Sequence, residues 1–394
     1  MKYVDEVKIT KKTVLLRVDF NVSLNPNHSI SDDARIRMSL PTIEYLLKEH
    51  NKIILIAHLG EPDKRNAADS LIRVARRVQS YLPHNKIHFV EDFTKNDDAI
   101  KNQKEGEIIL LENIRFYPGE LTNDSVFARQ LAALGDAYVN DAFSVCHRRQ
   151  VSIVGLPALL PSYAGLLLKK EVSSLEFIMK HPHKPYVVIM GGKKISTKIQ
   201  FITKLITIAD YLLLGGGLAN TFLMAKGLEL GKSIGDKKEI PLVKKITALA
   251  KKTNTEIVLP QDAVVGENFN VQQTTIKKVE EIGKDDQVLD VGPETQADFG
   301  AIIAKAKMIV WNGPVGYMEN PHFRRGTDFL YYAITQNRYA VSVIGGGDTL
   351  AAINNKEYLD KITHISMGGG AMLEFMEKGT LPGIDALKKA KSAK

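Results

Sequence analysis

One cysteine, Cys146, stands among the 394 residues. No intrachain disulfide can form, and a reducing compartment, the cytoplasm, is the simplest setting for such usage. No apolar stretch reaches the ~18 residues that a membrane-spanning helix needs, and the start Met1-Lys2-Tyr3-Val4-Asp5 lacks the apolar core of a secretory signal. Two nucleotide-binding signatures are also missing. Without Gly-x-x-x-x-Gly-Lys-[Ser/Thr] the chain has no Walker A loop, and without Gly-x-Gly-x-x-Gly it has no dinucleotide fingerprint, which weighs against a nicotinamide dehydrogenase. Hydrophobic residues at 44% and charged residues at 25% are ordinary for a globular protein and exclude extended disorder.

The net charge of +8 is not concentrated. Residues 1–168 carry 22 basic and 21 acidic side chains, against 31 and 24 in the remainder. The excess lies in the second half and in the tail Lys388–Lys394, scattered among acidic residues and without interleaved aromatics. Specific nucleic-acid binding is not expected from that pattern.

What the chain does have is glycine in clusters. Gly191-Gly192, Gly215-Gly216-Gly217, Gly345-Gly346-Gly347 and Gly368-Gly369-Gly370 each close an apolar run: Tyr186–Met190, Tyr211–Leu214, Ala340–Ile344 and Ile362–Met367. Such runs read as buried strands of a parallel sheet. Glycine at a strand's carboxyl end lets backbone N–H groups approach an anion at the N-terminus of the next helix. Four such turns on one sheet edge point to a large phosphate-bearing ligand. The first half ends its strands with charge instead: Arg17-Val18-Asp19-Phe20-Asn21, His58-Leu59-Gly60, Glu112-Asn113-Ile114-Arg115 and Asn140-Asp141-Ala142-Phe143, with His147-Arg148 close behind. In an open α/β sheet those ends line the ligand crevice, so the arginines and histidines are expected to converge on a second anion.

Helical patterns alternate with the strands at Thr42–Lys48, Ser70–Leu82, Ser125–Leu134, Ser196–Ile208, Ile240–Lys252, Ala297–Lys305 and Thr327–Gln336. Alternation of this kind gives a doubly wound parallel sheet with helices on both faces. The length exceeds what one growing core supports, so the fold expected is α/β with two Rossmann-like domains and a cleft between them. The boundary is placed at a connector helix, 166–180, ended by His181-Pro182-His183-Lys184-Pro185. The domains are then 1–168 and 169–381, with the tail 382–394 packing back on the first. Each half can bury its own sheet, so a monomer is expected.

Three features of the second half carry chemistry. Lys194 and Lys198, four apart after Gly191-Gly192, are expected to share one face at a helix N-terminus, aimed at phosphate. Asp348, attached to the triplet Gly345–Gly347, suits a Mg-nucleotide, since Mg²⁺ commonly takes one or two carboxylates with phosphate oxygens and water; a helix N-cap is its alternative reading. Trp311-Asn312-Gly313-Pro314-Val315-Gly316 forms a tight turn, with Glu319 placed to accept from ribose hydroxyls and Trp311 itself read as core.

These motifs, with Asp33-Ala34-Arg35-Ile36-Arg37, Leu214–Phe222 and Asp290-Val291-Gly292-Pro293, resemble those of the phosphoglycerate kinase family from about Thr13 to Leu387. The resemblance implies phosphoryl transfer between 1,3-bisphosphoglycerate with ADP and 3-phosphoglycerate with ATP, the nucleotide carried as its Mg²⁺ complex. It places the phosphoglycerate site on Asp19, Asn21, Arg35, His58, Arg115 and Arg148, with Arg35 and Lys194 as the catalytic charges. Lys198 falls on the nucleotide phosphates. Gly215, Gly216, Gly292, Asn312, Pro314 and Glu319 surround adenine and ribose, with Gly345, Gly346, Gly347 and Thr349 beside Asp348, the Mg-nucleotide aspartate. The partners implied are small molecules, with no nucleic acid and no membrane.

The chain also departs from the family pattern. His58-Leu59-Gly60-Glu61-Pro62 stands where the family has His-Leu-Gly-Arg-Pro, and His147-Arg148-Arg149-Gln150 where it has His-Arg-Ala-His. Ser144-Val145 replaces Gly-Thr, Lys193 a small residue, Thr197 an aspartate and Met367 a threonine. A weakened relative serving as scaffold or regulator is therefore the second reading. Glu61, in a site meant for an anion, is expected to turn outward or to pair with Arg65 or Arg149, Arg149 partly restoring the lost positive charge.

Overall fold

The computed structural model describes residues 1–95, 98–353 and 356–390. Contacts divide the chain into two compact units, one of Met1–Ser173 with the C-terminal segment from Thr380, the other Ser174–Gly379. The division falls inside the helix Leu166–Lys180.

The first unit is built on a six-stranded parallel sheet. Across it the strands run Ile87–Val90, Ile108–Leu111, Lys52–Ile56, Thr13–Arg17, Ala137–Asn140, Ser162–Ala164. Val14, Leu15, Leu16, Ile53, Ile54 and Leu55 are all fully buried, as strands covered on both faces must be. One face, through Val14, Leu16, Ile53, Leu55, Ile108 and Val139, packs on Ile36, Ile43 and Leu46 of helix Ala34–Lys48 and on Val74 and Val78 of helix Ile72–Tyr81. Each such side chain contributes about 1.5–3 kcal/mol on burial. The order reverses beside Thr13–Arg17, so the loops after it and after Ala137–Asn140 diverge and leave a crevice at their carboxyl ends.

Helix Ala34–Lys48 starts eight residues before the expected Thr42 and runs through Pro41. A mid-helix proline removes one hydrogen bond, but tertiary burial of Ile36 and Ile43 outweighs that loss. The first helical turn therefore carries Arg35. At the other end of the chain, helix Pro382–Lys389 buries Ile384 and Leu387, and the Gly383 N–H donates to the Cys146 carbonyl at 2.8 Å. Residues 391–394 of the tail lie outside the described residues.

The second unit repeats the architecture with strand order Glu256–Val258, Tyr211–Leu214, Tyr186–Met190, Met308–Asn312, Val341–Gly345, His364–Ser366, all parallel. In chain order this is 3-2-1-4-5-6, whose switch point lies between Tyr186–Met190 and Met308–Asn312. The four expected glycine turns thus leave one edge of one sheet. A three-stranded antiparallel sheet, Thr275–Lys278, Asp262–Gly266 and Gln287–Val291, adds a wall that the sequence pattern did not announce. No helix among the described residues is long and apolar enough to cross a membrane.

Candidate active site

At the crevice of the first unit the strand ends bring cations together. Arg17, the last residue of its strand, is fully buried. Its Nε donates to Ser152 Oγ at 2.9 Å, and Nη2 meets His58 Nδ1 at 3.1 Å. Ser152 in turn donates through N–H (2.9 Å) and Oγ to the buried Glu120 carboxylate. Burial, followed by the charges of Arg17, Arg115, Arg35 and Arg148, holds the His58 imidazole well below its ordinary range. His58 is therefore neutral near pH 7, and the four guanidinium groups converge on it. Arg35 pairs with the Asp19 carboxylate, which also accepts from Ser144 Oγ and the Asn21 N–H (3.1 Å). Asn21 Oδ1 accepts the Gly60 N–H at 2.8 Å, while Arg115 Nη1 donates to the Gly60 carbonyl at 2.6 Å. All six expected residues, Asp19, Asn21, Arg35, His58, Arg115 and Arg148, thus join one connected cluster. Arg115 is buried and its Nε–H has no acceptor among the described residues, an unspent donor in a site of excess positive charge.

Glu61 faces outward, as one of the two expectations had it, and pairs with neither Arg65 nor Arg149. Its Oε1 lies 3.6 Å from Arg115 Nη1 and 4.0 Å from Arg148 Nη2. Arg65 is spent elsewhere, over the Phe116 and Tyr117 rings at 5.4 and 5.8 Å and on the Glu91 carbonyl at 3.0 Å. Arg149 is exposed and is not an ion-pair partner of Glu61 among the described residues.

In the second unit the glycine turns frame a cavity of about 680 Å³. Gly192, Gly216, Pro314, Glu319 and Asp348 line it, facing an apolar wall that includes Phe269, Leu289 and Tyr317. Lys198 Nζ donates to the Gly191 carbonyl at 2.8 Å, and burial lowers its pKa to about 8 against the opposing pull of Asp348. A desolvated cation of this kind gains most when an anion arrives.

Lys194 does not share a helical face with Lys198. The helix begins at Ile199, and Lys194 sits exposed in the preceding loop. The Glu239 carboxylate takes the Ile195 and Ser196 N–H groups at 2.8 and 3.0 Å, so a loop tied from behind wins over helix propagation there. Burial alone would raise Glu239, but those N–H donors and the Lys194 charge outweigh it and hold the carboxyl low. Nor does Asp348 cap a helix: the N-cap is Gly346 and Asp348 stands in the first turn.

Other expected residues shape the cavity without lining it. Asn312 Nδ2 donates to the Gly345 carbonyl at 2.8 Å, and Thr349 Oγ1 accepts the Gly313 N–H at 2.7 Å, tying two glycine turns together. Trp311 is core, its Nε1–H pinned to the Gly313 carbonyl at 2.9 Å. Gly292 is glycine because a Cβ there would meet the Asp262 carboxylate at 2.3 Å. That carboxylate caps helix Pro293–Lys305 by accepting from the Glu294 and Thr295 N–H groups. Gly215 sits behind the cavity against Val315, and Gly347 faces open space.

Asp290, on the cavity wall, is buried and accepts from the Gly326 and Val291 N–H groups at 2.7 and 2.9 Å. Burial outweighs those donors and raises its pKa to about 8. A carboxyl raised above its unfolded value, ~3.9, contributes stability that is full below pH ~4 and lost as pH rises through the folded pKa. Asp290→Asn, neutral at every pH, is expected to flatten the fall of Tm between pH 5 and pH 8 relative to wild type. Parallel Tm–pH curves for the two proteins would show that Asp290 is ionised in the fold.

An arginine cluster at one switch point, and a glycine-edged, lysine-bearing cavity at another, define an α/β enzyme of phosphoryl transfer. The phosphoglycerate kinase family profile matches residues 4–379. Curated phosphoglycerate kinases of Dictyoglomus turgidum and Koribacter versatilis are 45% and 42% identical, over 96% and 98% of both chains. The solved phosphoglycerate kinase of Coxiella burnetii superposes with a TM-score of 0.87 at 35% identity, covering 99% of each chain. The chain belongs to the phosphoglycerate kinase family. Its reaction is reversible phosphoryl transfer between 1,3-bisphosphoglycerate with ADP and 3-phosphoglycerate with ATP, a step of glycolysis; nothing favours the weakened scaffold.

Arg17, Ser152 and Glu120 are the members of the first site that sequence reading missed. Arg17 was visible as a strand-end charge, but its burial is a tertiary fact. The wall of Phe269, Leu289 and Tyr317 had no local signal, because it is assembled from the small antiparallel sheet and its flanking loops.

Proposed function

We propose that Asp19, Asn21, Arg35, His58, Arg115 and Arg148 bind the phosphoglycerate substrate, and that the cavity edged by Gly192, Gly216, Pro314, Glu319 and Asp348 binds the Mg²⁺ complex of ADP or ATP. The observation that carries the reading is the unspent Arg115 Nε–H within a cluster of four guanidinium groups around a neutral histidine. Such a cluster is stabilised by a polyanion.

Among the described residues no group of three or more His, Cys, Asp or Glu is placed to hold a metal alone. Asp348 on the cavity wall fits the other arrangement, one carboxylate completed by phosphate oxygens and water. Bound there, Mg²⁺ would neutralise phosphate charge. The protein's own residues do the remainder. Lys198 holds the nucleotide phosphates, Glu319 the ribose, and the loop tied by Asn312 and Thr349 keeps the glycine N–H groups in place. Both nucleophiles, a carboxylate or an ADP oxygen, are ionised near pH 7, so catalysis reduces to alignment and charge stabilisation by Arg35 and Lys194. A monomer of the cytoplasm is part of the same proposal.

A coupled assay of ATP formation from 1,3-bisphosphoglycerate tests the reaction. Asp348→Ala tests the metal assignment: calorimetry is expected to show Mg-ADP binding weakened about tenfold or more, with ADP alone and 3-phosphoglycerate little changed. An unchanged Mg²⁺ dependence would remove Asp348 from the metal site.

A further inference from the structure

Glu61 is an exposed acid in a cluster otherwise built to attract anions, and its position is fixed by the cluster itself. The peptide of Gly60 is clamped on one side by Asn21 Oδ1 and on the other by Arg115 Nη1, at 2.8 and 2.6 Å. Gly60 adopts φ +65°, and a Cβ there would strike the Asp69 carboxylate at 2.7 Å. No other residue takes this backbone without strain, so the direction in which residue 61 leaves the strand end is set. The carboxylate then lies 3.6 Å from Arg115 and 4.0 Å from Arg148, with the Arg115 side chain only 7% exposed and that of Glu61 80% exposed.

We infer that Glu61 is a tethered competitor: its carboxylate occupies Arg115 and Arg148 in the substrate-free protein, yields them when phosphoglycerate arrives, and so sets substrate affinity. The inference rests on the assignment of those arginines to the phosphoglycerate site. An ion pair with one partner this exposed is weak, and therefore displaceable. Its charge nevertheless acts on any anion brought to the same guanidinium groups. At ~4 Å in water-like surroundings that repulsion is worth about a fivefold change in affinity, more where solvent is excluded. Being electrostatic, the effect must fade as the Debye length contracts from ~30 Å at 0.01 M to ~3 Å at 1 M ionic strength. It acts on binding and leaves the transferring group alone, so KM moves and kcat does not.

The test compares Glu61→Gln, Glu61→Asp and Arg148→Met in steady-state kinetics with 3-phosphoglycerate and Mg-ATP, at low and at high ionic strength. Glu61→Gln is expected to lower KM for 3-phosphoglycerate about fivefold at ~0.01 M, to converge on wild type near ~1 M, and to keep kcat within about twofold. Glu61→Asp, which keeps the charge, should stay near wild type. Arg148→Met raising KM while Glu61→Gln leaves it unchanged at low salt would overturn the inference and leave the site assignment standing. Arg148→Met with wild-type KM would overturn the site assignment, and the inference with it. A Glu61→Gln gain of equal size at both ionic strengths would also overturn it, since steric relief is not screened.

Discussion

Replacing Lys194 with alanine is expected to lower kcat about a hundred- to a thousandfold while moving either KM only a few-fold. The loss corresponds to about 2.7–4 kcal/mol of barrier, the usual effect of deleting one preorganised charge that acts on the transition state. Lys194 is exposed in the loop ahead of helix Ile199–Ile206, where nothing desolvates it. Lys198 is the cation already held on the Gly191 carbonyl. That difference divides their labour. In the proposed function Lys198 holds phosphates in the ground state and Lys194 acts on the phosphoryl group in transit, and an interaction made only there appears in kcat. The loop it rides on is not loose, because Glu239 binds the Ile195 and Ser196 N–H groups and Thr197 Oγ1 donates to the Lys194 carbonyl at 2.9 Å. Lys194→Arg, which keeps the charge but not its compactness, should recover part of the rate. Steady-state kinetics with both substrates varied is the measurement. A variant with normal kcat and a raised nucleotide KM would reduce Lys194 to a binding residue.

Much of this arrangement was legible in the sequence because its signals are local. A glycine cluster closing a run of Val, Ile and Leu identifies a strand, its direction and its glycine-edged end at once, and the four such runs belong to one sheet, two on either side of Met308–Asn312. The helix Leu166–Lys180 was equally plain from periodicity and the prolines after it. Where reading failed, a non-local force had won. The helix expected over Thr42–Lys48 begins at Ala34 instead and runs through Pro41, because burial of Ile36 and Ile43 offsets the missing hydrogen bond. The lysine pair was placed on a helix that Glu239, more than forty residues on, prevents from beginning there. Glu61 does turn outward, but the partners expected for it, Arg65 or Arg149, were neighbours in the sequence or the motif, whereas the backbone clamp at Gly60 leaves it beside Arg115 and Arg148.

The buried ion network behind the proposed phosphoglycerate site gives the largest expected effect on stability. Arg17 and Glu120 are both fully buried and are joined through Ser152, whose Oγ accepts from Arg17 Nε at 2.9 Å and whose N–H donates to Glu120 at 2.9 Å. Removing one partner strands the other charge in a medium that cannot solvate it, at a cost of about 3–5 kcal/mol. Arg17→Met, close in volume, is therefore expected to destabilise the protein by about that amount near pH 8. The size should depend on pH. Burial already raises the Glu120 pKa, and Arg17 is the leading influence lowering it, so the variant's Glu120 titrates higher still. A carboxyl raised above its unfolded value of ~4.3 contributes its full stability below that pH and loses it as pH rises through the folded pKa. The deficit of Arg17→Met should accordingly be small near pH 4–5 and grow toward pH 8. Arg17→Met/Glu120→Gln, with no stranded charge, should recover a large part of it, a coupling of about 1–3 kcal/mol between residues in one network. The single variant should also raise KM for 3-phosphoglycerate, since His58 Nδ1 loses the donor that fixes its tautomer. Denaturant titrations at pH 5 and pH 8 decide the matter: a deficit under about 1 kcal/mol at pH 8, or strict additivity in the double variant, would mean that Glu120 is accommodated well enough without Arg17 and that the two do not act as one network.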